Sequence, residues 1–379
     1  MLNPGRWPPA LSTVLLRGVC ALGPLSGACY DTSRGGEAAP PDGRRGGSPA
    51  IAPRPLAVKW AYAGDSIKDP VVFGVAPTGV VVADYAGDVK AHFLDTESGQ
   101  YLGQIGRTGS GPCEFRGFDA VLVGAASSDL GLYDLTARSI TWVSPKWILM
   151  GPKGQYECTR RAAITHLDAP ATTISPVLVS DSVIVAGGFY RGGRLAVFDR
   201  DGSLRRMVGR LPGQGINAPA SVIQHAFQAR LAVAPDRSRI VVASRHASIL
   251  EIFGSDGKLH RTVHGPILVE PIFRVAGTRE RLVFAQGDST RFGYVSVAAT
   301  DDRIFALFSG HANFETPRRA NLGATVHVFD WNGQFLEVLS LRGESARIAV
   351  SVDGASLFAA SDDPDVVVLA YDLQVGPQQ

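Results

Sequence analysis

Charged residues are scarce in this chain of 379 residues, since Asp, Glu, Lys and Arg together account for 19% of it. Residues 1–50 contain five of the 37 basic residues and three of the 35 acidic residues. The rest of the chain therefore carries 32 charges of each sign. A neutral body lacks the basic surface with which proteins bind nucleic acid or an anionic membrane. We therefore expect no nucleic-acid partner, and contact with a membrane only through a lipid anchor.

Long apolar runs and local enzyme motifs are also missing. After residue 29, no segment approaches the roughly 18 consecutive apolar residues that a membrane-spanning helix requires. The chain has no G-x-S-x-G nucleophile elbow, no G-K-[ST] phosphate loop and no cysteine pair at zinc-ribbon spacing. The glycine-rich segment 106–111 leads into a predicted strand, whereas a phosphate cradle opens a helix. These absences leave no local motif for hydrolase or nucleotide chemistry.

The first 55 residues differ in composition from the rest of the chain. Residues 1–29 contain an early Arg6, a short apolar run and small residues before Cys29, a pattern typical of an export signal. They resemble a bacterial lipoprotein signal, which implies that Cys29 is lipidated; a plain secretory signal and a misassigned start codon are the alternatives. Residues 30–55 are rich in Gly, Pro, Ala and Arg and predict a disordered linker. The folded domain is therefore expected at residues 56–379.

Four segments share one pattern, in which an apolar strand enters a tight turn with glycine and a second strand leaves it. They cover residues 91–105, 194–208, 249–263 and 325–339. Because glycine tolerates the positive φ that a tight turn requires, each segment predicts a two-residue β-hairpin. The turn glycines are 103, 55 and 76 positions apart, which fits a repeat of about 50 residues with one degenerate copy and one insertion. They are Gly99, Gly202, Gly257 and Gly333.

Six units of short apolar strands follow one another along the chain, with hardly a helical segment between them. The sixth unit lacks a fourth strand, and residues 56–62 form a strand without a unit of its own. If this N-terminal strand completes the last unit, six four-stranded units close into a ring with no open sheet edge. The sequence therefore predicts an all-β, six-bladed β-propeller. A seven-bladed propeller is the alternative, because residues 267–284 are either half a blade or an insertion.

The segment 106–118, GRTGSGPCEFRGF, resembles the linker of NHL-type and TolB-like six-bladed propellers. The resemblance rests on the glycine, proline, glutamate and phenylalanine positions of that linker, which here are Gly106, Gly109, Gly111, Pro112, Glu114 and Phe115. Cys113 stands where these families usually have glycine. The resemblance implies the propeller fold and an exported, often lipid-anchored protein, and it implies no particular reaction.

The loops on one face of such a propeller are the expected place for a binding site. In a four-stranded meander, the loops between second and third strands and the connections between blades emerge together around the central channel. Aromatic and cationic side chains there suit an anionic or glycan-like ligand, although loop residues are also polar simply because they are solvated. The predicted ligand-binding residues are Tyr85, Tyr190, Arg191, Arg245, His311 and Arg318.

Three histidines offer an alternative site with a catalytic metal. His225, His246 and His311 fall in loops of the same predicted face. Three imidazoles with an open position suit a divalent ion such as Zn²⁺, so this alternative predicts a metal-dependent lyase or lactonase. No local spacing such as H-E-x-x-H fixes the ligands, and the favoured interpretation therefore needs no cofactor.

Cys113 and Cys158 are the two cysteines after the leader, 45 positions or about one repeat apart. This spacing would place them on neighbouring blades, and in an oxidising compartment we expect them to form a disulfide bond. Two unpaired thiols are the alternative.

The sequence as a whole favours a non-enzymatic binding propeller of the bacterial envelope, located in the periplasm or at the cell surface. A protein, peptide or glycan is the expected partner. Besides the metal-dependent enzyme, a purely structural scaffold of an envelope complex stays open.

Overall fold

The computed structural model describes residues 52–77, 79–111, 113–124, 129–144, 163–213, 215–276, 281–284, 290–313, 319–361 and 365–374. The predicted export signal with Cys29, most of the predicted linker, Cys158 and Arg318 lie outside the described residues. Within the described ranges the chain is built almost entirely of strands, with one short helix.

The chain enters the fold through two N-terminal strands, β1 (Arg54–Pro55) and β2 (Ala57–Tyr62). Three antiparallel meanders of four strands follow. Blade 1 comprises β3 (Pro70–Ala76), β4 (Gly79–Asp84), β5 (Val89–Leu94) and β6 (Tyr101–Thr108), with the short β7 (Glu114–Phe115) added in parallel to β6. Blade 2 comprises β8 (Phe118–Val123), β9 (Leu130–Asp134), β10 (Ser139–Val143) and β11 (Ala163–His166). Blade 3 comprises β12 (Thr173–Ser180), β13 (Val183–Gly188), β14 (Leu195–Asp199) and β15 (Leu204–Val208).

The second half of the ring carries two insertions between blades. Helix α1 (Ala220–Ala226) precedes blade 4, which comprises β16 (Ala229–Val233), β17 (Arg239–Ser244), β18 (Ile249–Gly254) and β19 (Leu259–His264). A hairpin of β20 (Phe273–Ala276) and β21 (Arg281–Phe284) precedes blade 5, which comprises β22 (Tyr294–Ala299), β23 (Arg303–Phe308), β24 (Gly323–Asp330) and β25 (Phe335–Ser345). Blade 6 contains β26 (Ile348–Val350), β27 (Ser356–Ser361) and β28 (Val367–Asp372).

The first strands of the six blades contact one another in a closed ring around a central channel. Blade 6 obtains its fourth strand from the N-terminus, because β2 pairs antiparallel with β28 and places Val58 opposite Tyr371. The predicted six-bladed propeller is therefore confirmed, with the N-terminal strand as its closure. Because β2 and β28 pair within one blade, the ring has no open sheet edge at this point.

Strand β1 extends the fold beyond the predicted boundary. It pairs in parallel with β25, so that Arg54 lies opposite Leu339, and Arg54 Nε donates to Glu337 Oε2 at 2.9 Å. The sequence assigns Arg54 and Pro55 to the disordered linker, whereas the structure pairs both with blade 5. Their strand conformation depends on a partner 285 positions away, which composition alone does not reveal.

The ambiguous segment 267–284 is an insertion and not a blade. Among the described strands, β20 and β21 pair only with each other, with Phe273 opposite Phe284. The seven-bladed alternative is therefore wrong. Strand β21 also contacts helix α1. We call α1, the hairpin β20–β21 and the connecting residues 209–219 and 265–272 the cap.

Apolar burial between neighbouring blades holds the ring together. Every residue of β4 is buried, because this second strand of its blade is covered on both faces, and three successive valines form its centre. Val80 of β4 belongs to one cluster with Trp60 of β2 and Phe358 of β27, and the Trp60 and Phe358 ring centroids are 5.9 Å apart. Such clusters recur at other blade junctions and supply the main driving force for ring closure.

The turn glycines have the predicted backbone conformation, but their loops are longer than predicted. Their φ angles lie between 70° and 92°. In blade 3, Gly202 N donates to Asp199 O and Asp199 N donates to Ser203 O, both at 2.9 Å, and the strand register shifts between Val197 and Phe198. This is a three-residue loop with a bulge, so the two-residue hairpin is wrong here.

Each turn glycine also faces the outer strand of the preceding blade. A Cβ on Gly202 would lie 1.9 Å from the carbonyl oxygen of His166, the last residue of β11. The same relation holds for the other three turns, where the nearest side chains are Trp60 for Gly99, Val208 for Gly257 and Val263 for Gly333. Glycine therefore recurs for two reasons, positive φ and close packing of blade on blade.

Candidate functional site

Charged side chains from three alternating blades meet at one end of the central channel. Asp119 belongs to β8 of blade 2 and Arg230 to β16 of blade 4, while Arg347 directly precedes β26 of blade 6. Arg230 Nη1 lies 2.5 Å from Asp119 Oδ1, and Arg347 Nη2 lies 3.4 Å from the same oxygen. The backbone N–H of Ser175 donates to the other oxygen, Asp119 Oδ2, at 2.9 Å. These residues line a channel space of about 60 Å³.

The charge states of these groups follow from their mutual contacts. Burial alone would raise the pKa of Asp119, but the guanidinium groups of Arg230 and Arg347 outweigh it and lower that pKa to about 2. Burial and the neighbouring charge of Arg230 lower the pKa of Arg347 to about 10. Asp119 is therefore an anion and Arg347 a cation at neutral pH.

Arg245 adds a third cation from the loop between β17 and β18. Its Nε donates to Asn321 Oδ1 at 2.9 Å and its Nη1 to Gln228 Oε1 at 3.1 Å, and its guanidinium lies 5.1 Å from the centre of the Phe292 ring. Burial and repulsion from Arg230 lower its pKa to about 10, which still leaves it charged at neutral pH. Among the described residues, its side-chain acceptors are neutral amides.

Tyr85 completes the aromatic side of this end of the channel. Its side chain is 48% exposed, and its hydroxyl donates to the carbonyl oxygen of Phe118 at 3.0 Å. The Phe73 ring lies edge-on to Tyr85, with 6.4 Å between centroids, and the Arg347 guanidinium lies 5.0 Å from the centre of the same Phe73 ring. We call Tyr85, Asp119, Arg230, Arg245 and Arg347 the mouth cluster.

The opposite end of the channel is mainly apolar, and Arg237 is the one charged residue among the described residues that line it. A cavity of about 430 Å³ opens there, and its walls are mostly valine and leucine side chains of the six first strands, among them Val121, Val177, Val233 and Val350. The charged groups that the first strands contribute are thus confined to the end with the mouth cluster. This asymmetry makes that end the place where a charged ligand group would bind.

The other predicted ligand-binding residues are not part of the mouth cluster. Tyr190 is completely buried, its hydroxyl donates to Thr173 Oγ1 at 2.8 Å, and burial raises its pKa; it packs between blades instead of reaching a ligand. Arg191 is exposed on the loop before β14. His311 Nε2 lies 2.9 Å from Glu344 Oε1, so its side chain is paired with a carboxylate. Arg318 lies outside the described residues.

The three candidate metal-binding histidines are engaged separately. His225 is stacked on Phe189, with 4.3 Å between ring centroids, and its Nδ1 lies 2.7 Å from Ser221 O. His311 contacts Glu344. In the described part of the chain, no three His, Cys, Asp or Glu side chains are grouped so that they could hold a metal ion.

His246 is the most deeply buried of the three histidines, at 1% exposure. Its ring lies between Phe284 and Phe292, with centroid distances of 4.9 and 4.8 Å. Neither ring nitrogen makes a well-formed hydrogen bond to a described residue, although the backbone of His225 and Ala226 is close enough to oppose the lowering of its pKa. Burial and the charge of Arg245 lower its pKa to about 3. An uncharged histidine enclosed by phenyl rings has a packing role, so the predicted three-histidine site is not assembled.

Cys113 is buried and takes part in a disulfide bond. Its partner lies outside the described residues, and the pairing with Cys158 stays a prediction.

Asp119, Arg230 and Arg347 were not predicted as site residues, because they do not lie in the loops that follow the second strands. All three occupy the start of a first strand, where most residues are apolar, and this position in alternating blades is the signal that could have identified them. Their convergence depends on ring closure, since Arg347 and Asp119 are 228 positions apart.

No helix in the part of the chain that the structure describes is long and apolar enough to span a membrane. No curated protein matches the sequence.

Among solved structures, the chain is similar to the crystal structure of the WD40 beta propeller domain of Doa1, with 14% sequence identity and a TM-score of 0.46. That similarity covers 84% of this chain and 97% of the other, and it adds nothing on function. The family described as TolB-like 6-blade propeller-like matches residues 67–352, about three quarters of the sequence. The chain therefore belongs to the TolB-like six-blade propeller family.

Proposed function

We propose that this protein is a non-enzymatic binding propeller of the bacterial envelope, whose mouth cluster binds an acidic group of a partner protein or peptide. The observation that carries the proposal is a cluster of three arginines with only one carboxylate, which two of them share. Arg230 and Arg347 share Asp119, and Arg245 has no carboxylate within ion-pair distance among the described residues. The cluster therefore has a positive charge of two that an anionic ligand group would balance.

Arginine is the residue best suited to this role. Its planar guanidinium binds a carboxylate through two parallel hydrogen bonds, and it keeps its charge when partly buried. The side chains of Arg230 and Arg347 are 18% and 14% exposed, so each is largely shielded from water and still accessible from the channel. Partial shielding strengthens the attraction for an anion relative to a fully solvated arginine.

The size of the channel favours a macromolecular partner over a free small molecule. Pockets for drug-sized ligands have volumes of about 300–1,000 Å³, whereas the channel space beside Asp119 measures only about 60 Å³. That space, which neither Tyr85 nor Arg245 lines, has room for a single carboxylate, so the rest of a ligand would lie outside it. A protein or peptide that inserts an Asp or Glu side chain while it rests on the surrounding loops fits both charge and size, with exposed Tyr85 as an aromatic contact.

The other candidate functions lack a comparable observation. A neutral glycan would leave the excess charge of the mouth cluster unbalanced. A metal-dependent lyase or lactonase would need a ligand set, and the described residues do not group three such side chains. A structural scaffold predicts no particular chemistry at the channel.

The envelope location rests on the leader and on the resemblance to exported propellers of the TolB-like and NHL types. Cys29 would be lipidated and residues 30–53 would tether the propeller to the membrane in the periplasm or at the cell surface. Mass spectrometry of the mature N-terminus tests this directly. An acylated Cys29 supports the anchor, while an unprocessed Met1 would contradict export.

Selection from a random peptide library on the immobilised chain tests the binding function. We expect enrichment of Asp- and Glu-containing sequences on the wild type, and loss of that enrichment on the Arg245→Gln/Arg347→Gln double variant. The two proteins are first compared by circular dichroism, so that unfolding is distinguished from lost recognition. Enrichment of peptides without acidic residues, unchanged by the double substitution, would contradict the proposal.

A further inference from the structure

A larger cavity lies beside blade 4, beneath the cap, and shares no residue with the mouth cluster. Its volume is about 720 Å³, within the range of about 300–1,000 Å³ typical of small-molecule sites. We call it the cap pocket. It is lined by residues 209–213, Ile216, Phe227, Ile249, Glu251, Leu259, Thr262, His264, Glu270, Pro271 and Phe273.

The cap pocket lies between blade 4 and parts of the chain that a propeller does not require. Two consecutive connections between blades are extended, one by α1 and the other by β20–β21, and these insertions contact each other. Phe227 and Ile249 belong to a cluster at their base, against which Leu211, Ile216 and Phe273 pack. The same apolar side chains that join the cap to blade 4 thus form walls of the cavity.

A buried ion pair borders this cavity, whose lining is mainly apolar but also includes Arg210, His264 and Glu270. Arg194 Nε lies 2.7 Å from Glu251 Oε2, and the two side chains are only 4% and 3% exposed. Arg194 is held by two further acceptors, with Nη1 at 2.6 Å from Phe227 O and Nη2 at 3.3 Å from Ser244 Oγ. The second carboxylate oxygen, Glu251 Oε1, has no hydrogen-bond partner among the described residues.

Buried Arg194 needs a counter-ion and accounts for one oxygen of this carboxylate, but it leaves Glu251 Oε1 unused. Glu251 lies opposite Val242 in blade 4, and the corresponding pair in blade 3 is Ala196 opposite Ala186. Buried ion pairs are often no more stabilising than apolar residues of similar size. An acceptor with a free oxygen that lines a cavity of ligand size is instead the feature that orients a bound molecule.

We propose that the cap pocket binds a small, mainly apolar molecule that donates one N–H or O–H hydrogen bond to Glu251. The apolar walls provide most of the contact area, and Glu251 fixes the orientation of the molecule. Because Arg194 already balances the charge of Glu251, a neutral donor suits the site. This ligand differs in chemistry and place from the acidic group expected at the mouth cluster.

Two fluorescent probes that differ in a single donor test the proposal. N-phenyl-1-naphthylamine is apolar and carries one N–H, whereas 1-benzylnaphthalene has a CH2 bridge in place of the N–H and no donor. We expect saturable binding of the amine by the folded full chain and about tenfold weaker binding of the hydrocarbon, since a hydrogen bond to a charged group contributes about this much. Absence of saturable amine binding, or equal affinity for both probes, would overturn the proposal.

Substitutions in and outside the cavity locate the probe. Leu211→Trp places a larger side chain in the cap pocket and should lower the amine affinity at least tenfold, while Leu336→Trp, at a 40% exposed position on β25, should leave it unchanged. The amine is excited directly, and melting curves establish that both variants are folded. Unaltered affinity in Leu211→Trp would place the probe elsewhere and contradict the assignment. Failure of this test leaves the peptide selection at the mouth cluster unaffected, since the two sites share no residue.

Discussion

Arg230 and Asp119 lie 111 positions apart in the chain and meet across the mouth of the central channel, with 2.5 Å between Arg230 Nη1 and Asp119 Oδ1. Arg347 approaches the same carboxylate oxygen at 3.4 Å. One carboxylate therefore pairs with two guanidinium groups, which leaves one positive charge unbalanced. This excess charge underlies the proposed affinity of the channel mouth for an anion.

Replacing Asp119 with Asn tests the structural half of this relationship. The substitution leaves Arg230 and Arg347 largely buried without an anion, so we expect the free energy of unfolding at pH 7 to fall by about 3–5 kcal/mol. Urea-induced unfolding of the wild type and of Asp119→Asn measures the difference. A loss below about 1 kcal/mol, the level of an exposed pair, would show that water screens the cluster.

The stability difference between these two proteins should also depend on pH. The pKa of Asp119 is lowered from 3.8 to about 2 in the folded protein, because Arg230 and Arg347 outweigh the effect of burial. A depressed carboxyl pKa contributes stability above the unfolded value, and that contribution is lost as the pH falls towards the folded value. The stability advantage of the wild type over Asp119→Asn should therefore shrink between about pH 4 and pH 2. An advantage that stays constant over this interval would contradict the assignment.

Gly202→Ala tests the packing of one blade on the next. Gly202 has a φ of 92°, and an added Cβ would lie 1.9 Å from His166 O. We expect a loss of about 2–4 kcal/mol in the free energy of unfolding, from backbone strain and from the displaced blade contact.

Gly215→Ala is the matched control for that substitution. Gly215 has nearly the same φ, 93°, and a Cβ added there would have no neighbouring atom within 4 Å, so this variant should lose only the backbone part, about 1 kcal/mol. Equal losses in the two variants, measured by thermal or urea unfolding, would mean that contact with the preceding blade contributes nothing.

His246→Phe tests the packing role of the buried histidine. Neither ring nitrogen of His246 makes a well-formed hydrogen bond to a described residue, and a buried polar atom without a partner is costly. The phenyl ring should therefore leave stability at pH 7 unchanged or increase it. A marked loss of stability would show that the imidazole makes a contact that only a nitrogen can make.

Lowering the pH should increase the difference in the free energy of unfolding between His246→Phe and the wild type. Burial and Arg245 lower the pKa of His246 from 6.5 to about 3, so the unfolded chain binds the proton more readily than the folded protein. The wild type should therefore lose stability relative to the variant as the pH falls from about 6.5 towards 3, with a slope of up to about 1.4 kcal/mol per pH unit. Parallel pH profiles of the two proteins would contradict a lowered pKa.

The repeat was predictable from sequence because its signal is local. Gly202 and the other turn glycines mark the hairpins, and the unpaired strand at residues 56–62 indicated how the ring closes. The longer loops, three residues in blade 3 and four at Gly99, were not predicted, since glycine at positive φ suits several loop lengths. Helix α1 was also missed, because it has only seven residues and its N-cap, Pro219, provides no side-chain cap.

The candidate site was predictable only where its residues lie in loops. Tyr85 and Arg245 directly follow second strands, so the strand pattern was enough to place them at the channel mouth. Asp119, Arg230 and Arg347 lie at first strands of blades 2, 4 and 6, and their contacts exist only once the ring has closed. Tyr190 has the same local context as Tyr85, but its side chain turns into the core, a choice that depends on packing and not on loop position.

Arg245→Gln provides the most direct test of the claim that the mouth cluster binds an acidic group. The measurement is the calorimetric Kd of a selected Glu-containing peptide and of its Glu→Gln counterpart, on the wild type and on Arg245→Gln. Arg206→Gln, which removes the same charge from an exposed position on β15, is the control. We predict that Arg245→Gln raises the Kd of the acidic peptide about tenfold or more and that Arg206→Gln leaves this Kd unchanged. Equal Kd values for the two peptides, or equal effects of the two substitutions, would contradict the account.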